Sequence, residues 1–247
     1  KACTGSSLCA TIQMTEKPKG TEAMRKRMLA SGICLLLFLA LILLLKTVDV
    51  ADVFPAGTSI GLSHMNVAVH EFFGYNPLWY RVTESLGYAS FLVVAFFALM
   101  GLWQLIRRRS LRRVDSAILA LGVLFVVVLA IYFLFGHVVV NWRPMLLEDG
   151  LEPEPSFPSS HTMMACTVYG AAFILLNKYL RGRPLRLPLQ LLCAVLIDVM
   201  VVGRLASGVH WLTDILGSVL LCGFLLTLFS AVLMALEHTE SAQHGKQ

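Results

Sequence analysis

Residues 203–214 read Gly-Arg-Leu-Ala-Ser-Gly-Val-His-Trp-Leu-Thr-Asp and separate two long apolar runs, residues 187–203 and 215–236. Each run is close to the roughly 17 to 25 residues that cross a bilayer as a helix. His210 and Asp214 are four residues apart at the start of the second run. A helix that begins there places both on one face, where the carboxylate can hold one imidazole nitrogen. The stretch is therefore either the polar boundary of a membrane helix or half of a catalytic site.

The composition of the whole chain indicates a membrane protein. Hydrophobic residues make up 57% of the 247 residues and charged residues only 14%, whereas a soluble domain is typically about 45 to 50% apolar even with glycine counted. The net charge of +5 does not predict nucleic-acid binding, because the basic residues cluster in short segments between apolar runs. We predict an all-α integral membrane protein.

Six apolar runs predict six transmembrane helices. They cover residues 28–45, 85–106, 116–136, 162–177, 187–203 and 215–236. Asp198 interrupts one run, and a carboxylate inside a span usually faces the bundle interior, so we predict a hydrogen-bonded structural residue there. Residues 25–237 form the predicted six-helix membrane domain. A disordered cytoplasmic tail is predicted for residues 1–24, and a cytoplasmic C-terminal tail for residues 238–247.

The connection between the first and second predicted spans, residues 46–84, carries apolar side chains at helical spacing. These are Leu62, Met65, Val69, Phe72 and Phe73. Trp79 and Tyr80 follow, and both are residue types of a membrane interface. We predict an interfacial helix here, which either anchors the protein to membrane lipids or guides a lipid toward a site.

The distribution of basic residues predicts which side of the membrane each loop occupies. Sixteen lysines and arginines lie in the two termini and in the loops after the second and fourth predicted spans, against four in the other connections. Those four are Lys46, Arg81, Arg143 and Arg204. By the positive-inside rule, we predict a multi-pass cell-membrane protein with both termini in the cytoplasm and the Arg143 and Arg204 loops outside.

The loop before the fourth predicted span carries a second set of polar residues. It contains Asn141-Trp142-Arg143-Pro144 and then Pro158-Ser159-Ser160-His161. Serine is a favoured N-cap, and a helix that starts near His161 presents unpaired backbone N–H groups and the positive end of its dipole, which together bind anions. Arg143 and Arg204 add planar cations suited to phosphate oxygens. Because all these residues are predicted on one membrane face, we predict a phosphoryl-binding catalytic site.

These residues resemble the three-part signature of the type 2 phosphatidic acid phosphatase superfamily. The resemblance rests on Arg143-Pro144, Pro158-Ser159-Ser160-His161, and Gly203-Arg204 with His210 and Asp214. It implies that His210 is the nucleophile, that Asp214 orients it and that His161 is the acid. It also implies that Arg143, Arg204, Ser159 and Ser160 bind the substrate phosphate.

The sequence departs from the family pattern at three positions. Ser160 stands where the family has glycine, and Gly203 where it has a serine. The family lysine seven residues before the first arginine is replaced by Gly136, with His137 beside it. His137 is either a substitute phosphate donor or a displaced helix-end histidine.

The resemblance implies metal-independent hydrolysis of a lipid phosphate or diphosphate, without a cofactor, through a phosphohistidine intermediate. The leading substrate is undecaprenyl diphosphate, with phosphatidic acid and phosphatidylglycerol phosphate close behind. Three alternatives are a lipid phosphotransferase that uses the same site, an ion transporter with a relay through Asp198, and a vanadate-binding peroxidase. The oligomeric state is not predicted.

Overall fold

The computed structural model describes residues 19–53, 58–145 and 153–244. These residues form α1 (Lys19–Thr47), β1 (Ala51–Val53), β2 (Thr58–Ile60), α2 (Ser63–Phe73), α3 (Pro77–Arg108), α4 (Ser116–His137), α5 (Ser160–Tyr179), α6 (Arg183–Ala206) and α7 (Leu212–His244). A short 3₁₀ turn at Leu111–Arg113 precedes α4. The antiparallel pair of β1 and β2 is a small addition to the predicted all-α architecture. Strands of three residues are too short to show the alternating pattern that marks a strand in a sequence.

Five helices are long and apolar enough to cross a membrane, namely α1, α3, α4, α6 and α7. They correspond to five of the six predicted spans. The sixth prediction falls on α5, which carries more polar side chains and has eleven of its twenty residues buried. This helix packs against α3, α4, α6 and α7. Because protein rather than lipid surrounds α5, its sequence is not required to be as apolar as that of the outer helices.

Several helices extend beyond the apolar runs that predicted them. Helix α3 begins at Pro77 rather than near residue 85, because the side chain of Asn76 accepts hydrogen bonds from Leu78 N (3.1 Å) and Trp79 N (3.2 Å). Proline at the first helical position suits this start. Helix α1 begins at Lys19, inside the predicted N-terminal tail, and α7 runs to His244 through the predicted C-terminal tail. Residues 1–18 and 245–247 lie outside the described residues.

Helix α2 is the helix predicted between the first two spans. Asp49 closes its N-terminal end, because its carboxylate accepts from Ser63 Oγ (2.9 Å) and from the backbone N–H of His64 (2.8 Å). Phe72 is 83% exposed and Phe73 is 40% exposed, so α2 presents aromatic rings on the outside of the protein. Asn66, about two turns before Phe73, is fully buried. The predicted helix is therefore present, whereas its position at the membrane interface stays a prediction.

A buried aromatic cluster fixes the segment that leads into α5. Phe157 is 1% exposed; its ring stacks on Phe38 of α1 at 5.7 Å and meets the edge of Phe135 of α4 at 6.0 Å. Gly217 of α7 makes room for this ring, since a Cβ there would lie 2.4 Å from Phe157 Cε2. The start of α5 is therefore held between three membrane-spanning helices.

Asp198 of α6 does not have the surroundings that the sequence predicted. It is exposed, on the same outward side as Leu191, Val195 and Val202. Within the described part of the chain no hydrogen bond or ion pair involves this carboxylate. Helix α6 packs against α5, α3 and α7, and its rotation about its own axis leaves Asp198 outside these contacts, on the surface.

Candidate active site

His210, in the polar loop between α6 and α7, and Asp214, at the start of α7, are both buried. His210 is 3% exposed and Asp214 is fully buried. Asp214 lies in the first turn of α7, and its Oδ2 accepts the backbone N–H of Trp211 at 3.0 Å. This is the arrangement in which an acidic side chain at the third helical position caps its own helix. The same oxygen lies 3.5 Å from Nδ1 of His210, so Asp214 both caps α7 and faces the imidazole.

A tight contact with the turn between α2 and α3 shapes this loop. Gly208 has φ of +73°, and a Cβ at this position would lie 2.1 Å from the carbonyl oxygen of Gly74. The carbonyl of Ser207 accepts the backbone N–H of Asn76 at 3.1 Å. Glycine is required at position 208 both by its left-handed conformation and by this approach of two backbones.

Burial and two arginines control the charge of His210. Burial lowers the pKa of His210 well below its usual value near 6.5, and the nearby cations Arg143 and Arg204 lower it further. The imidazole is therefore neutral at physiological pH. A neutral imidazole has a free lone pair, which is the form that a nucleophile requires.

Arg204, near the end of α6, is 1% exposed and contacts His161, the second histidine of the site. Its guanidinium lies 5.3 Å above the ring of Tyr80, and Nη1 donates to Thr83 Oγ1 at 3.3 Å. Its Nη2 lies 3.4 Å from Nδ1 of His161. Because a guanidinium only donates, Nδ1 of His161 is the acceptor and the ring proton resides on Nε2.

His161 lies in the first turn of α5 and packs closely against α3. A Cβ at Gly87 would approach His161 Cδ2 to 2.7 Å, and the ring of Tyr88 meets the imidazole edge-on at 6.4 Å. Helix α3 therefore fixes both Arg204 and His161. The sequence did not reveal this role of α3, because Tyr80, Thr83 and Gly87 lie far from both residues along the chain.

Arg143 lies in a short backbone pairing that the sequence did not predict. Its N–H donates to the carbonyl of Glu154 at 3.0 Å, and Ser156 N donates to Asn141 O at 2.9 Å. Across this pairing, Arg143 Nε forms an ion pair with Glu154 Oε2 at 2.9 Å. The arginine side chain is 13% exposed, and Glu154 is 49% exposed.

A cavity of about 260 Å³ opens on His210 and Arg143. Glu154 and Ser160 complete one polar side of it, whereas Tyr132, Phe135 and Phe157 supply apolar walls. Ser160 is the first residue of α5, so the helix N-terminus lies at this cavity. The cavity thus offers an anion site next to an apolar surface.

The two predicted serines have different surroundings. Ser160 lines the cavity, but Ser159 is fully buried and its hydroxyl is paired with Thr162 Oγ1 at 3.0 Å. The carbonyl of Ser159 accepts Ser218 Oγ at 2.9 Å. Ser159 therefore contributes as the N-cap residue that joins the start of α5 to α7.

His137 lies outside the group of site residues. It is exposed at the end of α4, and its Nδ1 lies 2.8 Å from the carbonyl oxygen of Phe133. Gly136, which occupies the position of the family lysine, lines the cavity instead. The geometry of His137 is that of a helix-end histidine, and a role of His137 in phosphate binding stays a prediction. The sequence did not indicate that Gly136, rather than His137, faces the cavity, because glycine has no side chain whose polarity could mark a site-facing position.

The sequence predicted no role for three buried polar residues near Asp214. Asn66, Asn141 and Thr213 are all fully buried, and Asn141 Nδ2 lies 3.4 Å from Thr213 Oγ1 and 3.5 Å from Asp214 Oδ1. Asn141 stood two residues before Arg143 in the quoted motif but carried no predicted role. Among the described residues no group of three or more His, Cys, Asp or Glu side chains is placed to hold a metal ion.

A family model described as the PAP2 superfamily matches residues 143–237, the region that contains both arginines, both histidines and Asp214. The structure is similar to the crystal structure of a transmembrane PAP2 type phosphatidylglycerolphosphate phosphatase from Bacillus subtilis, with a TM-score of 0.54 and 19% identity. The similarity covers 85% of this chain and 96% of the other. No curated protein matches the sequence.

Proposed function

We propose that this chain, whose residues 143–237 match the PAP2 superfamily model, is a phosphatase that hydrolyses a lipid phosphate or diphosphate through a phosphohistidine on His210. One observation carries the proposal. A neutral, buried imidazole and the guanidinium of Arg143 line the same cavity, and the N-terminus of α5 reaches that cavity through Ser160. A nucleophile and an anion site are thus adjacent.

The substrate phosphate is bound by cations and by helix N–H groups. Arg143 and Arg204 offset the charge on its non-bridging oxygens, and the first N–H groups of α5 add donors beside Ser160. Such donors act strongly in a site that excludes water, because they are aligned before the reaction begins. Ser159, at the N-cap position of α5, supports this arrangement because its carbonyl accepts the hydroxyl of Ser218 in α7.

His210 attacks phosphorus in line with the departing oxygen. Asp214 faces Nδ1 at 3.5 Å, which leaves Nε2 as the nucleophilic nitrogen. The bound phosphate anion favours a second proton on His161, and Nε2 of the resulting imidazolium donates to the leaving oxygen in the first step, which leaves a neutral imidazole. In the second step the same nitrogen, now without its proton, accepts one from the water that hydrolyses the phosphohistidine.

The walls of the cavity support a lipid as the substrate. Tyr132 and Phe135 belong to α4, a helix that is long and apolar enough to cross the membrane. An acyl or isoprenoid chain next to these rings remains in an apolar environment while its phosphate meets Arg143. Undecaprenyl diphosphate is the leading substrate. Phosphatidylglycerol phosphate is the second candidate, because the similar solved structure is described as a phosphatase of that lipid.

We place the site at the extracytoplasmic face, with both termini in the cytoplasm. The asymmetry of sixteen basic residues against four supports this orientation. Helix α2 then lies at the outer membrane surface, and its exposed Phe72 and Phe73 support contact with lipid. In this arrangement α5 is the sixth span, shielded from lipid by its neighbours.

Release of inorganic phosphate from a panel of lipids tests the proposal. Purified protein with chelator is given undecaprenyl diphosphate, phosphatidylglycerol phosphate and phosphatidic acid, with His210→Ala as the control. We expect release from at least one lipid by the wild-type protein and none by the variant. Transfer of phosphate to an added alcohol without release to water identifies a phosphotransferase instead. No release and no transfer from any lipid overturns the proposal.

A further inference from the structure

Asn66 is the one residue of α2 with a fully buried polar side chain that reaches another helix, among the residues that the structure describes. Its Nδ2 donates to Gly61 O at 2.9 Å and to Thr213 Oγ1 at 3.0 Å. Its Oδ1 accepts the backbone N–H of Thr213 at 3.2 Å. Both ends of the amide are therefore used, and two of the three hydrogen bonds go to α7.

Thr213 lies directly between the two residues that matter most for the reaction. It follows His210 by three positions and precedes Asp214 by one, in the first turn of α7. The first N–H groups of a helix have no acceptor within the helix. Asn66 supplies one from a separate segment and so performs for α7 the function of an N-cap side chain. An apolar residue of the same volume would leave Thr213 N–H buried without an acceptor.

We propose that Asn66 is a positioning residue for the phosphatase reaction, which fixes the first turn of α7 and thereby the direction from which Asp214 faces His210. This inference rests on the proposed function, in which Asp214 orients the nucleophile. Asn66 acts only through Thr213 and α7. It also ties α2, the helix with exposed aromatic rings, to the catalytic helix.

Loss of the Asn66 side chain is expected to affect catalysis and substrate binding differently. The phosphate is held by Arg143, by Arg204 and by the start of α5, and Arg204 is fixed by Tyr80 and Thr83 of α3. None of these contacts involves α2. Loss of Asn66 should therefore slow formation of the phosphohistidine while the binding of the phosphate group persists.

The test compares Asn66→Ala, Thr213→Val and the double variant with the wild-type full-length protein on the lipid that it hydrolyses best. We expect Asn66→Ala to lower kcat by about tenfold or more, with KM and inhibition by inorganic phosphate within about twofold. In the Thr213→Val background the same change should have a clearly smaller effect, because the two side chains share one hydrogen bond.

Ser63→Ala is the matched control. Ser63 is also a buried polar residue of α2, but its hydroxyl bonds to Asp49 rather than to α7, so we expect kcat within about twofold of wild type. If Asn66→Ala does not yield folded protein, Asn66→Ser, whose side chain is too short to reach the backbone N–H of Thr213, takes its place and must show the kcat loss without a KM change. Wild-type kcat in Asn66→Ala, effects that add independently, or a change in KM alone would overturn the inference. A wild-type protein that releases no phosphate would instead count against the proposed function.

Discussion

The guanidinium of Arg204 lies 3.4 Å from Nδ1 of His161, and this contact decides which nitrogen of the histidine carries the proton. Arginine has no acceptor and keeps its charge at any physiological pH, so Nδ1 must accept. In this neutral form the one ring proton lies on Nε2, on the other side of the ring. A residue proposed to bind phosphate thus also orients the ring of the proposed acid, so substitution of Arg204 should affect both phosphate binding and proton transfer.

Replacement of Arg204 by lysine tests this double role. Arg204→Lys keeps the charge but loses the planar fork that joins Thr83, Tyr80 and His161. We expect kcat/KM to fall by an amount equivalent to about 1.5 to 3 kcal/mol, the range for a hydrogen bond to a charged group. Steady-state kinetics measure it, with the distant surface change Arg112→Lys as the control. If Arg204→Lys keeps the wild-type kcat/KM, the proposed role of Arg204 in binding phosphate and orienting His161 is wrong.

The two histidines should fail differently when the leaving group is changed. His210→Ala removes the attacking nitrogen, so no substrate should label the protein with phosphate. His161→Ala should lose roughly 10²- to 10⁴-fold with an alkyl phosphate but recover phosphorylation with an aryl phosphate, whose anion leaves without a proton. The measurement is acid-labile phosphohistidine on the protein. Label in His210→Ala, or aryl hydrolysis with no label in either variant, contradicts the assigned roles.

The depressed pKa of His210 predicts that this imidazole stays neutral in mildly acidic solution. Burial and the nearby arginines favour the uncharged form, so lowering the pH through about 6.5, where a solvated histidine gains its proton, should leave His210 unprotonated. The free nucleophile therefore persists below that pH. Imidazole ¹⁵N shifts of the purified protein measure it, with His210→Asn to assign the signal. Half-protonation near pH 6.5 would show that the site is less desolvated than the structure indicates.

Gly208 should tolerate no side chain. Gly208→Ala combines a φ of +73° with a Cβ 2.1 Å from Gly74 O, and both effects destabilise the loop that carries His210. We expect a loss of on the order of 1 to 3 kcal/mol in stability, seen as a lower Tm, and a loss of activity. Gly122→Ala in α4 is the control, since nothing lies within 4 Å of its added Cβ. An unchanged Tm in Gly208→Ala would contradict the close contact.

The proposed orientation predicts which loops a membrane-impermeant thiol reagent can reach. In a protein whose native cysteines have been replaced, Asp52→Cys in the β1–β2 ribbon should react in intact cells. Ser110→Cys, in the basic segment after α3, should react only after the membrane is opened. The reverse pattern would place the site in the cytoplasm.

The sequence by itself determined the membrane class, five spanning helices and the residues of the signature. Hydropathy and basic loops depend on local composition, and the spacing of His210 and Asp214 on one helix turn follows from helix geometry alone. The PAP2 superfamily model matches residues 143–237, the region that contains the residues of this signature. The catalytic role of each residue remains a prediction.

The tertiary structure alone decided which of these side chains meet. It turns Gly136 rather than His137 toward the cavity, pairs Glu154 with Arg143, and brings Asn66 to Thr213 across 147 positions of sequence. It also turns Asp198 outward, against the expectation from its burial cost. Each outcome depends on the rotation of a helix about its axis and on which helix packs beside it. In an apolar helix surrounded by lipid and by other apolar helices, the sequence pattern constrains that rotation only weakly, so contacts between distant helices settle it.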